Sequence, residues 1–174
     1  MSDTHGNANR LRETAKGILS SHKIDLFIHL GDDYDDAEVF EELGCEYVRV
    51  PGVYSDYYAD NSVPNRVLRD FEGWRFLLSH TDVSHSNDLP DDPRPEDLTA
   101  GRQIDVLLYG HSHEPHIATK DGILFVNPGH LKEEDKKGSD ASYALIDVSR
   151  DSIQAKIVKA KDNVILQEAS FKRT

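Results

Sequence analysis

Two short apolar runs end in the same abrupt way, and no other feature of the chain limits its fold as much. Ile24 to Leu30 gives way to Gly31-Asp32-Asp33, and Ile104 to Tyr109 gives way to Gly110-His111-Ser112-His113. A short run that is apolar almost throughout reads as a strand buried on both faces. Polar residues at the C-terminal end of such a strand are placed for chemistry.

The surrounding pattern supplies the other layers. Leu11, Ala15, Ile18 and Leu19 recur at helical spacing after Asn7 and Asn9, either of which can cap the helix. Ala37, Phe40 and Leu43 suggest a second helix stopped by Gly44, and Glu46 to Val50 a strand. Pro51 to Pro64 reads as a long loop. Hairpins follow at Val67–Phe71 with Trp74–Ser79 and at Ile117–Thr119 with Ile123–Val126, turning at Glu72-Gly73 and Asp121-Gly122. A proline-rich loop from Asp88 to Pro95 precedes a short helix near Glu96 to Gly101. Three further strands are expected at Tyr143–Val148, Ile153–Val158 and Val164–Phe171. The expected fold is α/β: two packed β-sheets flanked by helices, a four-layer αββα sandwich, with residues 1–174 forming one domain.

Charge and cysteine content exclude several functions. Lysine plus arginine number 20 against 32 acidic residues, a net charge of −12. A protein gripping nucleic acid through phosphates needs a basic face, so no nucleic acid polymer and no anionic membrane is expected as a partner. No apolar stretch approaches the roughly 18 residues of a membrane span. The single cysteine, Cys45, can form neither an internal disulfide nor a thiolate cluster, which fits a cytoplasmic setting.

Histidines and aspartates gather in four segments, Asp3-Thr4-His5, His29-Leu30-Gly31-Asp32, His80, and Gly110-His111-Ser112-His113, of which the first, second and last sit at strand ends. Carboxylate oxygens with imidazole nitrogens suit borderline divalent ions such as Mn, Fe, Ni or Zn. A carboxylate shared between two ions would hold them about 3.5 to 4 Å apart, the spacing that clamps the attacking and leaving oxygens of phosphoryl transfer.

In these segments and in Asn127-Pro128-Gly129 the chain resembles the calcineurin-like metallophosphoesterases, particularly their small single-domain phosphodiesterase branch. The resemblance implies one metal held by Asp3, His5, Asp32 and His113, and a second held by Asp32, an asparagine, His80 and His111. It implies hydrolysis of a small phosphodiester by in-line attack of metal-bound hydroxide, with Asp32 and His111 as catalytic residues.

The departures also carry expectations. Gly52-Val53 stands where the family has Gly-Asn, so the second metal should bind weakly. Thr81 replaces a usual glycine and His130 a usual serine. Only Met1 and Ser2 precede Asp3, where the family has an apolar strand, so several apolar residues are expected upstream and Asp3 should be poorly held. The alternative function is a catalytically silent or weakly active scaffold of the same fold that binds protein partners. His29 reads as a structural, hydrogen-bonded histidine; His22 and His85 read as surface residues. His116 and His130 are open between substrate contact and plain loop. Asp33, Asp35 and Asp36 read as helix N-terminal charge, Lys132 to Lys137 as a solvated loop. Tyr54, Tyr57 and Tyr58 read as an aromatic lid packed on the protein, with stacking on a base or aryl group as the alternative.

Overall fold

A computed structural model describes residues 1–132 and 138–173, so most of the loop read at Lys132 to Lys137 lies outside the described residues. Helix α1 spans Ala8–Ser21 and is capped by Asn7, whose side chain accepts from the Arg10 N–H at 3.1 Å. Its buried stripe is Leu11, Ala15 and Ile18. Leu19, expected on that stripe, is exposed; one residue past Ile18 turns the helix about 100°, off the packed face.

Strand β1 (Phe27–His29) pairs in parallel with β2 (Tyr47–Arg49), and the short helix α2 (Glu38–Glu42) lies between them in sequence. Both strands are shorter than the apolar runs that announce them. Past His29 the backbone of β1 serves a different neighbour: the Leu30 N–H donates to Met1 O at 2.9 Å and the Asp3 N–H to Gly31 O at 3.1 Å. Met1 to Asp3 thus runs along the edge of β1 opposite β2. On its other side the Leu131 N–H donates to Asp3 O at 3.2 Å.

The second layer is a five-stranded sheet in the order β3 (Arg66–Phe71), β4 (Trp74–Ser79), β5 (Val106–Leu108), β7 (Ile123–Asn127), β6 (His116–Lys120). Strands β4, β5 and β7 are parallel, and β3 and β6 close the edges as antiparallel hairpin partners. The tail forms an antiparallel sheet of β8 (Ser142–Val148), β9 (Ser152–Lys159) and β10 (Ile165–Lys172).

Three apolar clusters stack these elements. Leu30 and Val50 beside β1 and β2, with Ile153 and Ala155 of β9, pack against Trp74, Phe76, Leu78, Val106, Leu108, Leu124 and Val126 of the five-stranded sheet. Helices α1 and α2 cover the far side of the first layer through Leu11, Ala15, Ile18 and Phe40 against Phe27, Tyr143 and Val158. Leu98 of helix α3 (Pro95–Ala100) packs on Leu77, Ile104, Leu107 and Tyr109 of the other outer face. Each of these large buried side chains contributes about 1.5–3 kcal/mol of transfer free energy. The order is helix, strand layer, strand layer, helix. The first strand layer is hydrogen-bonded in two pieces, β1 with β2 and β8 with β9 and β10. Among the described residues no helix is long and apolar enough to cross a membrane.

Candidate metal centre

Parallel strands bring their C-terminal ends to one edge, and the chemistry-bearing residues collect there. The β4–β5 register aligns Leu78 with Leu108, which sets His80 beside Gly110; the Gly110 N–H donates to His80 O at 3.0 Å. Asp32 follows β1 in the other layer. Asp3 is fully buried between them, and its carboxylate accepts the His111 N–H at 3.1 Å on each oxygen. The expectation that Asp3 would be poorly held is therefore corrected: backbone bonds to Gly31 and Leu131 and the His111 contact fix it.

Asp3, His5, Asp32 and His113 each present one donor atom, all within 4.8 Å of one another. His5 Nε2 lies 2.7 Å from Asp32 Oδ2 and 3.0 Å from His113 Nε2, and His113 Nε2 lies 3.4 Å from Asp3 Oδ1. Two imidazole nitrogens and two carboxylates aimed at one point form a donor set for a borderline divalent cation. Asp32 Oδ2 is buried and, despite the nearness of His5, accepts no hydrogen bond of acceptable geometry. Burial would push the Asp32 carboxyl up, but the His5 and His80 imidazoles outweigh it and hold it well below the usual carboxylate range. It is the charged form that binds a metal.

A second group adjoins the first. His80 Nε2 lies 3.3 Å from Asp32 Oδ1 and 3.1 Å from His111 Nδ1. His80 Nδ1 sits 2.7 Å from Leu30 O. A carbonyl only accepts, so that nitrogen carries the proton, and neutral His80 turns a lone pair toward a carboxylate oxygen. Only a cation or a proton between them makes this arrangement favourable. Accordingly, although burial works to lower the His80 pKa, the hydrogen bond to Asp32 and the charges of Asp3 and Asp32 raise it above its ordinary value. These donor sets fit divalent ions.

The backbone is strained in the same place. Asp3, His5, Asp32, His111 and His113 all have φ between 50° and 72°. Left-handed backbone is uncommon for residues with a Cβ and costs of order 1–3 kcal/mol each. Space is equally constrained: a Cβ on Gly110 would stand 2.6 Å from Asp3 Oδ2, and one on Gly52 2.6 Å from the Asp32 nitrogen.

Sequence reasoning assigned no task to Asn127-Pro128-Gly129, and the structure supplies one. Asn127 Nδ2 donates to Gly110 O at 2.8 Å and to Ser112 Oγ at 3.0 Å, and its Oδ1 accepts the Gly129 N–H at 2.9 Å. The motif pins the loop that bears His111 and His113. His29 is structural, as read: it is fully buried, with Nε2 at 3.3 Å from Thr4 Oγ1. His130 is buried with Nε2 3.1 Å from Ser139 O, and its ring lies 5.5 Å from that of His113. His116 is exposed on β6. Val53 is buried beside Gly52, and Asn65 directs its amide nitrogen to Tyr58 O and Asp92. His85, read as a plain surface residue, instead stands with Tyr54 at the rim beside His111: the Tyr54–His85 and His85–His111 ring centroids are 5.6 and 6.1 Å apart. No periodicity or motif marks it.

Comparison with known proteins places the chain in a family. A family model described as the calcineurin-like phosphoesterase superfamily domain matches residues 1–151. A Mycoplasma pneumoniae protein named "Probable metallophosphoesterase" is 29% identical over 135 residues, 76% of this chain and 77% of that protein. Phosphodiesterase YfcE of Escherichia coli K12 is 43% identical over 53 residues, 30% of this chain and 28% of that protein. A conserved Streptococcus pneumoniae TIGR4 protein, described as a predicted phosphoesterase, superposes with a TM-score of 0.73 at 22% identity, covering 99% of this chain and 95% of that one. Vps29 of Chaetomium thermophilum does so with a TM-score of 0.72 at 19% identity, covering 100% and 97%. The two structural likenesses show the fold, and the family match shows the lineage: the chain belongs to the calcineurin-like phosphoesterase superfamily.

Proposed function

We propose that the protein is a divalent-metal-dependent hydrolase of a small phosphodiester. The observation that carries this reading is the convergence of Asp3, His5, Asp32 and His113 on one point, with His80 and His111 against the other oxygen of Asp32. Asp3, His5, Asp32 and His113 would hold one ion, and Asp32, His80 and His111 a second and weaker one. Oxygen and imidazole donors favour Mn, Fe, Ni or Zn. Ions bound there supply Lewis acidity, offsetting phosphate charge and bringing the pKa of water to about 7.

The chain's own residues do the positioning. Asp32 turns one oxygen to each group and ties the two together. His111, solvent-exposed at the rim, is within reach of a phosphate oxygen, and Asn127 keeps its loop in place. Support for a diester comes from the relative named a phosphodiesterase. The net charge of −12 opposes a polyanionic polymer far more than it opposes a small phosphate ester. The single cysteine suits a cytoplasmic location.

A second reading, a scaffold that binds protein partners, is favoured by Val53, an apolar side chain where the resemblance calls for an asparagine ligand. The likeness to Vps29 supports the same fold for either role. Turnover of bis(p-nitrophenyl) phosphate with each of the four metals separates the readings. Metal-dependent hydrolysis that disappears in Asp32→Ala, with an unchanged circular dichroism spectrum, is the expected result. Persistence of that turnover in Asp32→Ala overturns the site, and no turnover with any of the four metals leaves the scaffold.

A further inference from the structure

Three tyrosines lie on the loop after β2, and the structure gives them different surroundings. Tyr58 is buried and donates to Asp88 Oδ1 at 2.6 Å. Tyr57 lies against Tyr34, the rings tilted by 35° with centroids 4.6 Å apart, and donates to Asp35 at 3.1 Å. These two fulfil the packed-lid reading. Tyr54 does not: it is 76% exposed, although its ring stands 5.6 Å from that of His85 and 6.3 Å from that of His111. A large ring left open to solvent beside the candidate centre, with the His85 ring edge-on to it and the His111 ring tilted against it, is set up as a platform.

The platform is held from two loops. Asn87 Nδ2 donates to Val53 O at 2.8 Å, fastening the His85 segment to the residue before Tyr54. The Asp88 carboxylate accepts the His85 N–H at 3.0 Å while paired at 2.8 Å with Arg66, whose side chain is fully buried. The Asn87 N–H donates to His85 Nδ1 at 3.1 Å, so in neutral His85 the proton resides on Nε2. Among the described residues, that Nε2–H makes no hydrogen bond.

We infer that Tyr54 and His85 form a specificity subsite for the planar aromatic substituent, aryl or nucleobase, of the phosphodiester. Tyr54 stacks on the ring, and the Nε2–H of His85 meets the ester oxygen that joins it to phosphorus. This inference rests on the proposed function, since His111 links the platform to the phosphate position through its contact with His80.

The test compares phenylphosphonate with methylphosphonate, which share a phosphonate head and differ in the ring. Calorimetry on the Mn-loaded protein should show tighter binding of phenylphosphonate. Aromatic stacking of this kind corresponds to roughly 3- to 10-fold in affinity. Tyr54→Ala should weaken phenylphosphonate by about that factor more than methylphosphonate, and Tyr54→Trp should retain the preference. Equal binding of both ligands, binding of neither, or a preference unchanged in Tyr54→Ala overturns the subsite. Diesterase activity has its own readout: a protein that prefers phenylphosphonate but hydrolyses no diester keeps the subsite and loses the proposed function.

Discussion

His80 Nε2 faces Asp32 Oδ1 at 3.3 Å while His80 Nδ1 is engaged by the Leu30 carbonyl at 2.7 Å. The imidazole cannot rotate to offer its N–H to Asp32 without abandoning a buried carbonyl, which costs about 1–3 kcal/mol. The pair is therefore built around whatever positive charge sits between them.

That relationship predicts a metal-dependent gain in stability. Adding Mn or Zn to chelator-treated protein should raise the melting temperature, because a ligand that binds only the folded state stabilises it by about 2.7 kcal/mol at 100 times its Kd. Asp32→Ala should abolish the shift. Thermal unfolding with and without metal checks this, independently of turnover.

The second ion should be the weaker. Val53 brings no ligand atom, and even a lost outer partner of a metal site costs about 10- to 100-fold in affinity. Calorimetry on the unmodified protein should resolve two unequal affinities, and Val53→Asn should tighten the weaker one and raise activity at low metal. Two equally tight sites would contradict the assignment.

Acid should unfold the protein partly through His29. Burial, reinforced by nearby positive charge, lowers its pKa to about 3 in the folded state, against about 6.5 unfolded. Below the unfolded value the denatured chain binds a proton that the native chain refuses, so stability falls with pH until the folded value is reached. Each pH unit in that window costs about 1.4 kcal/mol. Urea midpoints of the wild type should drop between pH 6.5 and 4 more steeply than those of His29→Gln.

Asn127→Ala should damage the site more than the fold. Its amide spans Gly110 O, Ser112 Oγ and the Gly129 N–H. Losing it leaves buried groups unsatisfied at about 1–3 kcal/mol. Metal affinity should fall about 10- to 100-fold, as for other residues that orient ligands. Equal loss of stability and no loss of metal binding would show that the motif only packs.

Residue pattern revealed what depends on local signals. The runs ending at Gly31-Asp32 and Gly110-His111 placed two strands and the polar residues at their ends, and the turns at Glu72-Gly73 and Asp121-Gly122 placed two hairpins where the structure has them. It overstated β1, because which edge of a strand finds a partner depends on distant backbone, here Met1 to Asp3. It missed His85 for the same reason: the position of that ring is set by Asp88, Arg66 and Asn87, and no spacing encodes such a network. Leu19 was misplaced by a single helical step.

The His111 N–H reaches the Asp3 carboxylate across 108 positions of sequence. Contacts between residues so far apart form late, after the loop between them has been closed. On the ribosome, Asp3 and His5 emerge long before their partners at 111 and 113 and the Leu131 amide, and wait for them. Closure of the proposed metal site is thus a timed event, possible only once residue 113 has been synthesised. A nascent chain that stalls before residue 111 carries Asp3, His5, Asp32 and His80 but neither His111 nor His113.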